Sequence, residues 1–216
     1  MPKSDSGRLP KNWPPNVSYL TAPSYSQALS AAHLSSLRTR PKDTQDIPPN
    51  TPSGPCPLVK ITPITSPSHP AHGQYGLFAC KDLKPGSFIL PYLGEIHGPP
   101  SCSSDAASPS CVTSSDAADP HAASDYDLSL DRELQLAIDA QRKGNEARFI
   151  NDYRGVADRP NAEFKEVWDP RRRERGMAVW VLGEGRSGKG RGGVKKGDEI
   201  LVSYGRGFWG ARKTDG

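Results

Sequence analysis

The most informative segment of the chain covers residues 144–161 and reads GNEARFINDYRGVADRPN. It places an apolar pair, Phe149 and Ile150, directly before two polar residues, Asn151 and Asp152. A buried polar group without a hydrogen-bond partner costs about 1 to 3 kcal/mol, so an amide beside a buried ring must be bonded. Taken singly, the aromatic residue would be ordinary core and the amide an ordinary turn cap. Together they lead us to expect that backbone groups or a ligand contact Asn151.

The composition indicates that only part of the chain builds a hydrophobic core. The 216 residues include 22 Pro and 21 Gly, 34% of them are hydrophobic, and the mean hydropathy is −0.65. The length favours one domain. Residues 1–55 are rich in Pro, Ser and Thr, and their apolar residues follow no period. We interpret residues 1–55 as a disordered tail with at most a turn or two of helix between Leu29 and Leu37.

Beyond residue 56 the pattern is that of many short strands. Apolar runs alternate with Pro- and Gly-rich turns, and residues 134–140 alternate apolar and polar side chains, which favours a strand although the composition also permits a helix. We predict a mainly β (α+β) fold of small sheets with few short helices. The predicted strands begin near Leu58, Gly76, Ser87, Tyr126, Leu134, Ala162, Met177 and Glu199.

Two biased segments interrupt this pattern. Residues 98–124 are mostly Ser, Ala, Asp and Pro, which predicts a low-complexity insertion, and residues 183–196 form a basic Gly-rich loop. The stretch 171–196 holds nine Lys or Arg and two Glu, so its charge of +7 exceeds the +4 of the whole chain. Such a stretch is either a solvated hairpin loop or a weak nucleic-acid contact through point charges.

Several classes of protein are disfavoured. The four cysteines, at positions 56, 80, 102 and 111, include no Cys-x-x-Cys pair, so we expect neither a zinc site nor a disulfide framework. No apolar run approaches the ~20 residues of a membrane span, and the N-terminus lacks a signal-peptide pattern. We expect no membrane contact and a location in the nucleus or cytoplasm.

Four motifs follow one another along the chain. They are QYGLFA at 74–79, YLGE at 92–95, RFIN at 148–151 with Pro160-Asn161, and GDEI at 197–200 with Ser203-Tyr204-Gly205. Their order and spacing resemble the SET domain of protein lysine methyltransferases. The resemblance extends from Leu58 to Trp209, and residues 56–212 are therefore expected to form the domain.

The resemblance implies a fold of small curled sheets in which a C-terminal segment threads under the loop around Asn151 as a pseudoknot. It also implies that S-adenosylmethionine binds on one face and that a lysine of a protein substrate, such as a histone tail, enters through a channel from the other. Carried over by matching position, the implied site residues are Tyr204 as catalytic residue, Tyr92 and Tyr126 as channel walls, Gln74, Tyr75 and Gly76 beside the methionine part of the cofactor, Arg148, Phe149 and Asn151 as its floor, and Asp152 near its adenine.

These residue types suit methyl transfer from a sulfonium, which is an in-line displacement that depends on alignment and on stabilising shifting charge. A lysine amine, with an ordinary pKa of about 10.4, must lose its proton before it attacks, and a desolvating channel beside a cationic sulfonium favours that loss. Tyrosine suits the channel because its ring face tolerates an ammonium group while its hydroxyl donates or accepts.

The sequence also departs from the family pattern. Asp152 stands where a His is common, Arg154 stands where a Cys often follows, and the first glycine of a Gly-x-Gly motif is displaced, with Gln74 in its place. No cysteine cluster follows Tyr204, and we hypothesise that Phe208 or Trp209 stacks on the adenine instead of a zinc-binding tail. These departures keep open an alternative, a catalytically inactive SET-like module that binds peptide or nucleic acid.

Overall fold

The computed structural model describes residues 9–99, 119–183 and 193–205. Within these ranges the chain forms fourteen short strands, one α-helix and one 3-10 helix. The strands are β1 (Ser18–Tyr19), β2 (Ser24–Tyr25), β3 (Gln45–Asp46), β4 (Val59–Pro63), β5 (Tyr75–Ala79), β6 (Phe88–Tyr92), β7 (Glu95–His97), β8 (Asp127–Asp131), β9 (Leu136–Asp139), β10 (Lys143–Gly144), β11 (Asn151–Asp152), β12 (Ala162–Asp169), β13 (Glu174–Val181) and β14 (Leu201–Val202). The helices are α1 (Ala31–Leu37) and the 3-10 helix η1 (Glu146–Phe149). The predicted mainly β architecture with few short helices is confirmed.

Two four-stranded sheets, ordered β3-β12-β13-β6 and β2-β7-β9-β8, hold most of the described strands. The longest pair is the antiparallel hairpin β12–β13, which keeps one register from Ala162 opposite Val181 to Asp169 opposite Glu174. Pairs β1-β10, β4-β5 and β11-β14 complete the sheets of the described part of the chain. Sheets of two to four short strands are marginal alone, so they must share a core.

Strand β9 runs through that shared core, between β7 on one side and β8 on the other. All four of its residues are buried, including Ala137 and Asp139. The predicted strand is therefore confirmed. Simple alternation would have suggested that one of its faces is solvated, but both faces are buried. Asp139 is accommodated because its carboxylate accepts hydrogen bonds from the Ser124 hydroxyl (2.7 Å) and the Gln141 backbone N–H (2.8 Å).

The N-terminal segment is ordered, and the predicted disordered tail is wrong for residues 9–55. Strands β1, β2 and β3 each add in parallel to the edge of a strand far along the chain, namely β10, β7 and β12. Val17, Leu37 and Ile47 are buried. The apolar residues show no period because each fills a separate site on the core instead of one face of a local element. Residues 1–8 lie outside the described part of the chain.

The C-terminal segment lies against residues 151–161. Strand β14 pairs in parallel with β11, so that Asn151 is opposite Leu201. The Asn161 side chain bonds the same segment on both sides, donating to the Glu199 carbonyl (2.7 Å) and accepting from the Leu201 N–H (2.9 Å). The C-terminal segment thus lies beside the loop around Asn151, as the family resemblance implied.

Both biased segments lie largely outside the described residues, which omit 100–118 of the insertion and 184–192 of the basic loop. The described ends are joined to the core: Leu83 and Val194 exchange backbone hydrogen bonds of 2.8 and 3.0 Å, and the His97 and His121 rings stack at 3.7 Å. No helix in the described ranges is long and apolar enough to cross a membrane.

Candidate active site

A cleft of about 420 Å³ gathers most of the residues that the sequence singled out. Its lining includes eight of them: Gln74, Tyr75, Tyr126, Arg148, Phe149, Asn151, Asp152 and Tyr204. The other lining residues are Pro14, His69, Pro70, Ala71, Asp125 and Arg154. A volume of this size lies within the range of about 300 to 1,000 Å³ that is usual for small-ligand sites.

The floor of the cleft, which we define as Arg148, Phe149 and Asn151, follows from the 3-10 helix η1 and strand β11. Phe149 is buried, and its ring meets Trp13 and Tyr75 edge-on, with centroids 5.7 and 6.1 Å apart. The Arg148 guanidinium group is held at the end of β9 by the Ala140 carbonyl, at 2.9 Å. Ile150 is thus buried away from the cleft, whereas Arg148, Phe149 and Asn151 line it.

The expectation that Asn151 needs hydrogen-bond partners is confirmed. Its Nδ2 donates to Glu199 Oε1 at 2.8 Å and to the Tyr75 carbonyl at 3.3 Å. Glu199 reaches this position because Gly76 has no side chain: a Cβ there would lie 2.5 Å from Glu199 Oε1. Gly76 is buried in β5 behind the cleft wall instead of lining the cleft, so it acts here by leaving space for a carboxylate.

Asp152 lines the cleft, and its carboxylate holds the C-terminal segment. Oδ2 accepts a hydrogen bond from the Tyr204 backbone N–H at 2.7 Å, and Oδ1 accepts one from the Arg154 backbone N–H at 2.8 Å. The Arg154 guanidinium lies 3.1 Å from Oδ2. The Asp152 side chain is 5% exposed, so this anchor is shielded from water. The residue that departs from the family pattern therefore fixes the backbone of the predicted catalytic residue.

A smaller cavity of about 80 Å³ adjoins the cleft and shares four lining residues with it, Asp125, Tyr126, Arg148 and Tyr204. Its wall also includes Tyr92 and Phe164. The guanidinium carbon of Arg148 lies 4.3 Å from the Tyr126 ring centroid, which is cation–π geometry. Tyr126 and Tyr204 therefore lie where the two cavities join, and Tyr92 lines the smaller cavity alone.

The phenol groups are held by backbone carbonyls. Tyr204 donates to the Ile150 carbonyl and Tyr92 to the Tyr126 carbonyl, both at 2.6 Å. Burial raises the pKa of Tyr204, and the nearby Asp152 carboxylate raises it further. Burial likewise raises the pKa of Tyr92 well above its ordinary value. Both phenols are therefore protonated at neutral pH and serve as neutral hydrogen-bonding groups.

Sequence reasoning missed several contributors. Glu199 belongs to the GDEI motif, but its role depends on a bond to a residue 48 positions earlier. His69 and Pro14 carry no local signal, because a loop and the N-terminal segment place them at the cleft only in the folded chain. The predicted adenine cover, Trp209, lies outside the described residues. Among the residues described, no cluster of His, Cys, Asp or Glu could hold a metal ion.

Comparison with known proteins gives one family and a set of distant structures. A family model described as the SET domain matches residues 74–205, more than half of the 216-residue chain. No curated protein matches the chain.

Structures that resemble the chain include Chaetomium thermophilum Polycomb Repressive Complex 2 bound to GSK126, with 19% identity, a TM-score of 0.47, and coverage of 75% of this chain and 17% of that one. The ctPRC2 structure in an autoinhibited conformation bound to S-adenosylmethionine has 20% identity, a TM-score of 0.45, and coverage of 71% and 16%. KRYPTONITE in complex with mCHH DNA, H3(1-15) peptide and SAH has 16% identity, a TM-score of 0.43, and coverage of 68% and 24%. The chain thus spans less than a quarter of each of these longer chains.

Proposed function

This chain belongs to the SET-domain family, and on that basis we propose that it transfers a methyl group from S-adenosylmethionine to a lysine side chain of a protein substrate. The observation that carries the proposal is the junction of the two cavities. Tyr126, Arg148 and Tyr204 line both the large cleft and the small cavity. In-line displacement needs donor and acceptor to approach one reaction centre from opposite sides, which two cavities meeting at shared walls would allow.

The residues of the large cleft fit this cofactor. S-adenosylmethionine combines an aromatic purine ring with polar and charged groups, and when bound it supplies an electrophilic methyl group. The cleft offers the ring of Phe149, the amide of Gln74 and the carboxylate of Asp125. We assign Gln74, Tyr75 and the floor to the methionine part and Asp152 to the adenine side.

The small cavity is suited to a lysine side chain. Its tyrosine rings, from Tyr92, Tyr126 and Tyr204, offer a narrow aromatic wall that excludes water from an aliphatic stem. Desolvation there and the like charge of the Arg148 guanidinium lower the pKa of an amine, against the opposing effect of the Asp125 and Asp127 carboxylates in the same wall. Tyr204, whose hydroxyl is fixed on the Ile150 carbonyl, is the residue we assign to the reacting centre. Alignment and deprotonation then require no carboxylate base.

The substrate we favour is a basic protein segment. Asp125 and Asp127 flank Tyr126 in the wall of the small cavity, where their carboxylates complement a lysine-rich segment; Asp127 also bonds His97 Nε2 at 3.0 Å. A histone tail is such a segment, and this choice would place the activity on chromatin in the nucleus.

The alternative is an inactive SET-like module that binds peptide or nucleic acid. One feature favours nucleic-acid contact: the exposed tip of the β12–β13 hairpin holds three consecutive arginines, at 171–173. Arg171 and Arg172 each lie 3.6 Å from an Asp169 carboxylate oxygen, which reduces their free charge. Contact through such point charges would be weak and would decline steeply with added salt.

Calorimetric titration of S-adenosylmethionine into the full chain tests the proposal. We expect saturable binding with one site per chain, weakened by Asn151→Ala, because that change removes the bond between the floor and Glu199. Asn50→Ala, in an exposed turn, is the matched control. Absence of binding at high cofactor concentration would favour the inactive module, and retention of DNA at low salt would then identify the nucleic-acid version of it.

A further inference from the structure

The loop between β4 and β5 forms one wall of the large cleft through His69, Pro70 and Ala71. It is closed at its base by two backbone hydrogen bonds, from Ile64 N–H to the Gln74 carbonyl (2.8 Å) and from Gly73 N–H to the Ile64 carbonyl (3.0 Å). We call residues 65–73 the wall loop. Turns within the loop are closed by backbone hydrogen bonds from His69 N–H to the Ser66 carbonyl (3.2 Å) and from His72 N–H to the His69 carbonyl (2.9 Å). The loop can therefore move as a unit, and the position of its tip depends on contacts made there.

His69 turns inward from this loop. Residues 65–68 are exposed, whereas the His69 side chain is 10% exposed. Its Nδ1 accepts the Ala71 backbone N–H at 3.0 Å, so Nδ1 carries no proton and the proton of the neutral ring is on Nε2. That Nε2–H donates to Glu199 Oε2, also at 3.0 Å. Both ring nitrogens are therefore bonded, one to the loop itself and one to the core.

Glu199 links His69 to the cleft floor. Its side chain is 9% exposed, and its second oxygen, Oε1, accepts the hydrogen bond from Asn151 Nδ2 at 2.8 Å. One buried carboxylate thus bonds the wall loop and the floor simultaneously. The space for it is provided by Gly76, where a Cβ would lie 2.5 Å from Oε1. Since the carboxylate is buried, removing either donor leaves an oxygen without its partner.

A second contact supports the loop from the turn after β11. Pro70 packs against Gly155 so closely that a Cβ at Gly155 would lie 2.6 Å from the proline Cγ. This contact is apolar and adjoins His69 in the chain. The tip of the wall loop is thus held at two adjacent residues, by a hydrogen bond to Glu199 and by packing on Gly155.

We propose that His69 is a positioning residue that holds the wall loop against the floor, so that the cofactor cleft is formed before the ligand binds. The inference rests on the proposed binding of S-adenosylmethionine in this cleft. A preformed wall removes the entropic cost of ordering the loop on binding, so the effect falls on cofactor affinity. His69 contacts the cleft but acts through Glu199 and Asn151, so the turnover rate at saturating cofactor stays as in the wild type.

The experiment compares three variants of the full chain by calorimetry and by initial-rate kinetics. His69→Ala is expected to weaken S-adenosylmethionine binding by about tenfold and to raise the cofactor KM with little change in kcat, because a hydrogen bond to a buried carboxylate is lost. His69→Gln keeps a donor within reach of Glu199 and is expected to restore affinity to within about threefold. His72→Ala, on an exposed side chain of the same loop, is the matched control and is expected to bind as the wild type does.

Hydrogen exchange of the ligand-free chain separates this inference from the proposed function. His69→Ala is expected to speed exchange of the Ala71 and Gly73 amides. Glu199→Gln is expected to have the same effect, and it replaces His69→Ala in the test if the alanine variant does not fold. If the wild type fails to bind the cofactor while the loop amides still respond, the function is wrong and the positioning role stands. Unchanged affinity and unchanged exchange in His69→Ala would overturn the inference, as would a loss of kcat at an unchanged cofactor KM.

Discussion

Replacing Asp152 by Asn tests the anchor of the C-terminal segment most sharply. In the wild type each carboxylate oxygen accepts a backbone N–H, from Tyr204 at 2.7 Å and from Arg154 at 2.8 Å. An amide has one oxygen and one NH₂ group, so whichever way the substituted side chain turned, one backbone N–H would face another donor. The variant keeps the shape of the side chain and removes one charged hydrogen bond from a site that is 5% exposed.

The expected cost follows from that lost bond. Hydrogen bonds to charged groups contribute about 1.5 to 3 kcal/mol, and the N–H left without an acceptor keeps its desolvation penalty. We therefore expect Asp152→Asn to lower the free energy of unfolding by about 2 to 3 kcal/mol. Because the Tyr204 N–H is one of the two groups that compete for the single amide oxygen, we also expect kcat to fall by about tenfold or more, since small displacements at a reacting centre are costly.

Urea unfolding followed by tryptophan fluorescence measures the stability, and methyl transfer measures kcat. Asp158→Asn, the same substitution at an exposed position of the adjoining turn, is the matched control and is expected to change stability by less than about 0.5 kcal/mol. The reasoning would be refuted if Asp152→Asn unfolded at the same urea concentration as that control and kept full activity.

Three further changes test separate parts of the structure. Gly76→Ala is expected to destabilise the chain by about 1 to 3 kcal/mol in urea unfolding, because the new methyl group displaces the Glu199 carboxylate; wild-type stability would contradict this packing. Trp13→Ala is expected to weaken cofactor binding in calorimetry by several-fold, since its indole packs edge-on against the floor; unchanged affinity would show that the N-terminal segment does not support the cleft. Burial alone would lower the pKa of His97, but the hydrogen bond and charge of Asp127 raise it overall. The stabilising effect of His97 is therefore fully present below about pH 6.5 and lost as the pH rises through the higher folded-state pKa. The difference in unfolding free energy between wild type and His97→Gln should accordingly shrink as the pH rises above about 6.5; a constant or growing difference would contradict that direction.

The sequence was most informative where several polar residues had to find partners in one place. The motif from Arg148 to Asn151 predicted a polar group beside a buried ring. The hydrogen-bond partner of Asn151, Glu199, belongs to the GDEI motif, which was part of the same family resemblance. The resemblance therefore brought together residues that the fold also brings together. Local pattern alone would have left Phe149 as core and Asn151 as a turn residue.

Other features depend on contacts that no local pattern encodes. The parallel pairing of β1, β2 and β3 involves two residues each, too few to show alternation, so the N-terminal segment resembled a tail. Asp152 was interpreted through the family pattern as a change near the adenine, whereas its carboxylate bonds the Tyr204 backbone 52 residues later. His69 stands among turn residues, and its role depends on a hydrogen bond to Glu199, which is 130 residues away in the sequence.

Methyl transfer to a protein substrate tests the central claim most directly. Radiolabelled S-adenosylmethionine is incubated with histones and the full chain, with Tyr204→Phe and with Tyr25→Phe, the same substitution on an exposed tyrosine that lines neither cavity. The wild type and Tyr25→Phe are expected to label histone lysines at equal rates, and Tyr204→Phe is expected to be slower by about tenfold or more, because the hydroxyl fixed on the Ile150 carbonyl is lost. Cofactor binding without any label on histones or other lysine-rich proteins, or equal labelling by both variants, would contradict the account.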